Sequence, residues 1–237
     1  MSEQRYPTTY TPSPSVLGVQ PDARLSAAFL TQAFLWMFVG LLVSAGVAFA
    51  VQGNEQLVHF AASNILILFI AQLALVVVIS AGINRMSATL ALGLFFAYAA
   101  SLGLTIGLIV GAYPQASVVG AFLSASGMFG AAALYGAVTK RSLTGFGGIL
   151  IMGLIGVIVA SVVNIFFASS VISWIIALVG VVIFTALTAY DVQRISHGDL
   201  AARTGSMEKA AVIGALQLYL DFVNLFLFML RLFGGRN

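Results

Sequence analysis

Ala215-Leu-Gln-Leu-Tyr-Leu-Asp-Phe-Val-Asn-Leu-Phe-Leu-Phe-Met-Leu-Arg-Leu-Phe233 is an apolar run with one carboxylate, Asp221, at its middle. It belongs to a longer apolar stretch, Ala210–Phe233. A helix needs about 20 such residues to cross the hydrocarbon of a bilayer. A charge at that depth costs at least about 2.5 kcal/mol by insertion scales, so it normally faces a protein interior or water and has a partner. The candidate partner is Asp191, in Thr185-Ala-Leu-Thr-Ala-Tyr-Asp-Val-Gln193, near the end of the preceding apolar run. The chain has seven acidic residues, and the other five (Glu3, Asp22, Glu55, Asp199, Glu208) lie in the N-terminal segment or in polar connections. Asp191 and Asp221 are therefore the only acids placed inside the apolar runs.

Working outward, the whole chain has the same character. Of 237 residues 61% are hydrophobic and only 7% charged, where a soluble domain carries roughly a quarter charged residues. The solvent for such a surface is a bilayer. A pI near 9.5 raises nucleic acid as a partner, but the ten Lys and Arg are spread through short connections. No basic cluster of the kind nucleic acid needs is present, so no nucleic-acid partner is expected. The absence of cysteine excludes disulfides, thiolate metal sites and a cysteine nucleophile.

Seven runs are long enough to span: Ser26–Val51, Leu57–Ile83, Ser87–Ala112, Gln115–Val138, Gly145–Ala168, Val171–Ile195 and Ala210–Phe233. In lipid each run satisfies its backbone only as a helix. The prediction is an all-α membrane protein, a seven-helix transmembrane bundle over residues 25–237. Residues 1–24 carry Pro7, Pro12, Pro14 and Pro21 and no apolar core. They read as a disordered cytoplasmic tail and not as a cleavable signal peptide. Small residues four apart let membrane helices approach closely. Gly103, Gly107 and Gly111, and Gly120, Gly127 and Gly130, are read as packing positions of this kind.

Orientation follows from Lys and Arg. Arg5, Arg24, Arg85, Lys140, Arg141, Arg194, Arg203 and Lys209 all fall on the N-terminal side of the bundle, and the opposite connections carry none. This predicts a cytoplasmic N-terminus in an inner (plasma) membrane. Arg231 and Arg236 break the pattern if the last run crosses. A re-entrant last segment would bring them back, but the run's length fits a full crossing.

Two acids on consecutive spans give the bundle a chemical centre. Asp191 lies ~9 Å from the N-terminal-side end of its span and Asp221 ~16 Å along the last one, at 1.5 Å per residue. If tilt brings them together they cannot both stay ionised comfortably, and they exchange protons as a unit. A cation can take the proton's place. Arg85, at the end of span two on the same side as Asp191, is the expected cationic latch: an Arg85–Asp191 pair would tie span two to span six until the carboxylate is protonated. Gln217 and Asn224 flank Asp221 on one helix face, at i−4 and i+3. Thr188 stands one turn before Asp191. These three are the expected second layer. Calcium wants six to eight oxygens, and two carboxylates supply at most four, so Asp191 and Asp221 would make a transient calcium site and not a storage site. No resident cofactor is expected. His59 and His197 are too far apart in the chain to make a metal site.

These residues carry a resemblance. Leu187-Thr-Ala-Tyr-Asp-Val-Gln193 and Gly214 through Gly234 look like the transmembrane Bax inhibitor motif family, and so do Gly127-Met-Phe-Gly130, Tyr135-Gly136, Thr139-Lys-Arg141 and Leu143-Thr-Gly-Phe-Gly147. The likeness covers everything after the N-terminal segment and is nearest to the bacterial inner-membrane members. It implies a fold in which six helices surround a central last helix. It also implies a pH-sensitive calcium leak, with Asp191 and Asp221 as the sensor and Arg85 as the latch. Some members carry a glutamate in the second span; here that place is near Ala74, with Gln72 close by. Eukaryotic relatives restrain cell death, and some bacterial relatives modulate a membrane protease.

Three functions follow in order. The first is a proton-gated cation leak, with the bilayer, calcium and protons as partners. The second is a non-catalytic modulator of membrane proteins such as a protease. The third, least favoured, is an intramembrane aspartyl protease, in which one carboxylate activates water and the other donates a proton. Those proteases pair Tyr-Asp with Gly-x-Gly-Asp, and Asp221 is preceded by Leu218-Tyr-Leu220 with no glycine opening. The chain is therefore expected not to be an enzyme.

Overall fold

The computed structural model describes residues 23–234. Among them the regular structure is entirely helical: α1 (Ala23–Gln52), α2 (Glu55–Ser63), α3 (Ile65–Gly82), α4 (Ala88–Gly111), α5 (Gln115–Val138), α6 (Gly147–Phe167), α7 (Ser170–Ser196), α8 (Asp199–Thr204) and α9 (Met207–Phe233). Seven helices are long and apolar enough to cross a membrane. They correspond to the seven expected runs. Most of the expected N-terminal tail lies outside the described residues, although α1 already begins at Ala23.

Helix ends follow local chemistry. Side-chain oxygens of Asn54, Ser87, Ser169 and Ser206 accept backbone N–H groups of the first turns of α2, α4, α7 and α9, relieving donors that a helix start leaves orphaned. Gly198 (φ 76°) and Gly205 (φ 63°) bracket α8 in the left-handed region, where a side chain is disfavoured. Span two departs from the single run expected. It breaks at Asn64, whose backbone leaves helical geometry (φ −113°, ψ 18°) and whose amide donates to the Phe60 carbonyl at 2.8 Å. Asparagine offers the backbone this local alternative to a continuing helix.

The last helix is unbroken over 27 residues, about 40 Å at the α-helical rise. That length crosses a bilayer without re-entrance. Within its most apolar stretch 67% of residues are buried in the protein, against 6–39% for the other spans. It packs on α1, α4, α5 and α7, and its first turns also meet α8. Two spans stand further out, α3 against α4 and α6 against α7. Their outward faces present Leu66, Ile67, Ile155 and Phe166, the surface a bilayer covers.

Small residues set the closest approaches. A β-carbon on Gly103 or Gly107 would meet Ser44, Val47 and Val51 of α1, so these two glycines seat α4 on α1. Gly111, Gly120, Gly127 and Gly130 have nothing within 4 Å of a built β-carbon. Their expected packing role is not seen. The buried face of α5 runs instead through Ala121, Ala125, Phe129, Ala132, Ala133 and Gly136. At Gly136 a β-carbon would collide with the Ala189 carbonyl of α7, which pins α5 to α7 one turn from Asp191.

Candidate functional site

Asp191 and Asp221 are both buried, at 7% and 4% exposure. They sit on α7 and α9, which pack against one another. Two carboxyl groups on packed helices in an apolar interior oppose each other's ionisation. Asp221 Oδ2 is buried and has no hydrogen-bond partner among the described residues. A buried polar atom normally finds a partner, and leaving one without costs about 1–3 kcal/mol, more if it is charged. A carboxylate oxygen of this kind, on the most buried span, is built to receive a proton, a cation or a water.

The guanidinium beside Asp191 is not Arg85. Arg194, one turn further along α7, places a terminal nitrogen 3.7 Å from Asp191 Oδ1. Its guanidinium also lies over the Tyr190 ring, 5.3 Å from the centroid, a cation–π position. Arg85 is exposed and forms no ion pair among the described residues. The expected tie between span two and span six is therefore not made in this structure. The physical reason is distance along the chain: residues i and i+3 of one helix are neighbours without any tertiary cost. An Asp–Arg pair within one helix does not fasten two helices together. It lays a tethered cation against the buried acid.

The rest of the node follows from the same turn of α7. The Tyr190 hydroxyl packs on Gly147, where a β-carbon would lie 2.5 Å from it; this explains the glycine at the start of α6. Gln193 is 1% exposed, and both ends of its amide are used. It donates to the Arg141 carbonyl (2.8 Å) and accepts from the Leu143 N–H (2.7 Å). The connection between α5 and α6 is thereby held beside Asp191. Gln193 has no assigned role in the sequence reading; its signal is an amide two residues from an acid in an apolar run.

The expected second layer does not gather on the acids. Thr188 Oγ1 donates to Phe184 O (2.8 Å) and Asn224 Nδ2 to Leu220 O (2.8 Å), each within its own helix. Gln217 is half-buried and makes no hydrogen bond to either carboxylate. A different polar contact was missed. Tyr219 is fully buried, and its hydroxyl meets Ser44 Oγ of α1 at 2.5 Å. Ser44 Oγ in turn donates to Ala99 O of α4 at 2.7 Å, which makes Tyr219 the donor to Ser44. Gln72, near the place of the family's second-span glutamate, donates to Ser101 O and Thr105 Oγ1 and serves to join α3 to α4. Among the described residues no group of three His, Cys, Asp or Glu is placed to hold a metal. A calcium ion at Asp191 and Asp221 would complete its shell from carbonyls and water.

With this geometry in view, the comparisons are specific. A family model described as inhibitor of apoptosis-promoting Bax1 matches residues 26–237. The chain belongs to the Bax inhibitor-1 family. It is 43% identical over 225 residues to inner membrane protein YbhL of Escherichia coli strain K12, covering 92% of this chain and 96% of that one. A Borreliella burgdorferi protein is 43% identical over 214 residues, covering 88% and 92% of the two chains. A Deinococcus radiodurans protein is 41% identical over 210 residues, covering 88% and 91%. This Bax inhibitor-1 family member is thus a multi-pass membrane protein, similar along nearly its whole length to one named for the inner membrane.

Proposed function

We propose that this protein is a proton-gated leak for cations, calcium in particular, across the inner membrane, and not an enzyme. The observation that carries the reading is the unpartnered buried oxygen of Asp221, on a helix packed against the one that carries the Asp191–Arg194 pair. In this mechanism the Arg194 guanidinium is a resident cation. While Asp191 is ionised it holds Arg194 at the mouth of the site, and a passing cation must displace it. Protonation of Asp191 removes the attraction. Arg194 then swings off, and the route to Asp221 opens. The sign follows: flux is low where Asp191 is ionised and rises as pH falls through the range in which it takes up a proton. The N-terminal face, where Asp191 and Arg194 lie, is the cytoplasmic side in this reading, as the charge asymmetry predicts.

Calcium release from proteoliposomes of the purified protein, followed against pH, tests this. The expected result is a pH-dependent leak in the wild type that becomes pH-independent in Asp191→Asn. An Asp191→Asn protein with an unchanged pH response would end the proposal.

A further inference from the structure

Arg231 stands on the face opposite the N-terminal end of the bundle, in the last turn of α9. Arg236 lies outside the described residues, and the other eight Lys and Arg fall on the N-terminal side, so the position of Arg231 asks for a reason. A cavity of about 520 Å³ opens beside it, between the end of α9, the junction of α6 with α7, and Tyr113 after α4. Its wall has a consistent polarity. Arg231 donates one N–H to Ser173 Oγ at 2.5 Å, which leaves the other N–H groups of a five-donor fork unspent. The same Ser173 oxygen accepts from Asn164 Nδ2 at 2.6 Å. With both acceptor positions filled, Ser173 keeps its own proton to give, and no acceptor for it is present among the described residues. The Ser170 hydroxyl adds another donor at the rim. Among the described residues no carboxylate lines the cavity and Arg231 makes no ion pair. Tyr113 and Trp174 complete the wall; aromatic residues of this kind mark the headgroup level of a bilayer.

We propose that this cavity binds a phosphate group at the membrane surface, with Arg231 and Ser173 as its donors and the headgroup of an acidic phospholipid as its source. The chemistry is that of an anion receiver: a guanidinium with no ion pair among the described residues, in a fork geometry that matches phosphate oxygens, a hydroxyl with a proton to give, and apolar lining from Ile165, Ala168 and Ile176 for the glycerol and chain. The site is separate from the aspartates and does not rest on the leak reading.

Trp174 is one of only two tryptophans in the chain and lies in the wall, so it reports occupancy directly. The full-length Trp36→Phe protein, in which Trp174 is the sole reporter, is reconstituted into phosphatidylcholine bilayers. Quenching of Trp174 is measured with brominated phosphatidylglycerol and with brominated phosphatidylcholine at equal mole fractions. Phosphatidylglycerol is expected to bind about fivefold better, the ratio one basic residue near an anionic surface gives. That preference is expected to vanish in Arg231→Gln, to persist in part in Arg231→Lys, and to weaken in Ser173→Ala, which keeps the charge. If millimolar inorganic phosphate instead protects Trp174 from quenching, and does so only with Arg231 present, the phosphate site stands and its source is the free ion. Equal quenching by both lipids in the Trp36→Phe protein with no effect of phosphate, or a preference that survives Arg231→Gln, overturns the proposal.

Discussion

At Asp191 the structure sets a guanidinium three residues along the same helix, 3.7 Å away, while Arg85 of span two is exposed and makes no ion pair among the described residues. The consequence for function is a division of labour between the two cations. Arg194→Gln is expected to raise calcium leak at neutral pH and flatten its pH profile, because the resident cation is gone. Arg85→Gln is expected to leave both unchanged. Flux in proteoliposomes at two pH values distinguishes the variants, and a flattened profile in Arg85→Gln alone would restore the interhelix latch. The acids themselves were legible in the sequence, since a carboxylate in an apolar run is a statement about partners. The Arg194 pair was legible too, in its i,i+3 spacing, but Arg85 was expected as the latch from its place at the end of span two on the same side as Asp191. The Ser44–Tyr219 contact was not legible, because its two halves lie 175 residues apart and a tyrosine among phenylalanines looks like packing. Tyr219→Phe would strand the Ser44 network of one donor at a cost of about 1 kcal/mol, read as a lower denaturation midpoint with the helix content kept.

At the scale of elements, α7 is positioned by what touches it near its end. Gly136 of α5 lies where any side chain would strike the Ala189 carbonyl. Gly136→Val is expected to destabilise by about 1–3 kcal/mol, the range for forcing extra volume into a packed interface, and to do so more than Gly127→Val, whose added carbon meets nothing. Equal thermal midpoints for the two variants would show that α5 and α7 are not held at this crossing. Gln193→Leu leaves the Arg141 carbonyl and the Leu143 N–H without their side-chain partner. The expected cost is about 1–3 kcal/mol for each group left unpaired, and limited proteolysis is expected to cut the α5–α6 connection sooner. Element existence was readable because seven apolar runs of spanning length have one solution in lipid. The break in span two at Asn64 was also signalled, by Ser63-Asn64 inside an apolar run. Which glycines pack was not readable: spacing marks Gly103 and Gly107 and also Gly127 and Gly130, and only the neighbouring helix decides which pair is used.

On the scale of the whole molecule, the most buried span carries a carboxylate oxygen that has no hydrogen-bond partner among the described residues. Helix α9 is enclosed by α1, α4, α5 and α7, and Asp221 Oδ2 within it has no partner among the described residues. That arrangement is intelligible if the vacant interaction belongs to a proton or a passing cation whose occupancy Asp191 controls. The measurement that tests it most directly is pH-difference infrared spectroscopy on the reconstituted protein, following the carbonyl stretch that only a protonated carboxyl group gives. The account predicts one such band in the wild type whose pH midpoint shifts by at least about one unit in Asp191→Asn, since coupling of that size is what makes two acids exchange protons as a pair. A midpoint for Asp221 that is the same with Asp191 and with Asn at that position would contradict it.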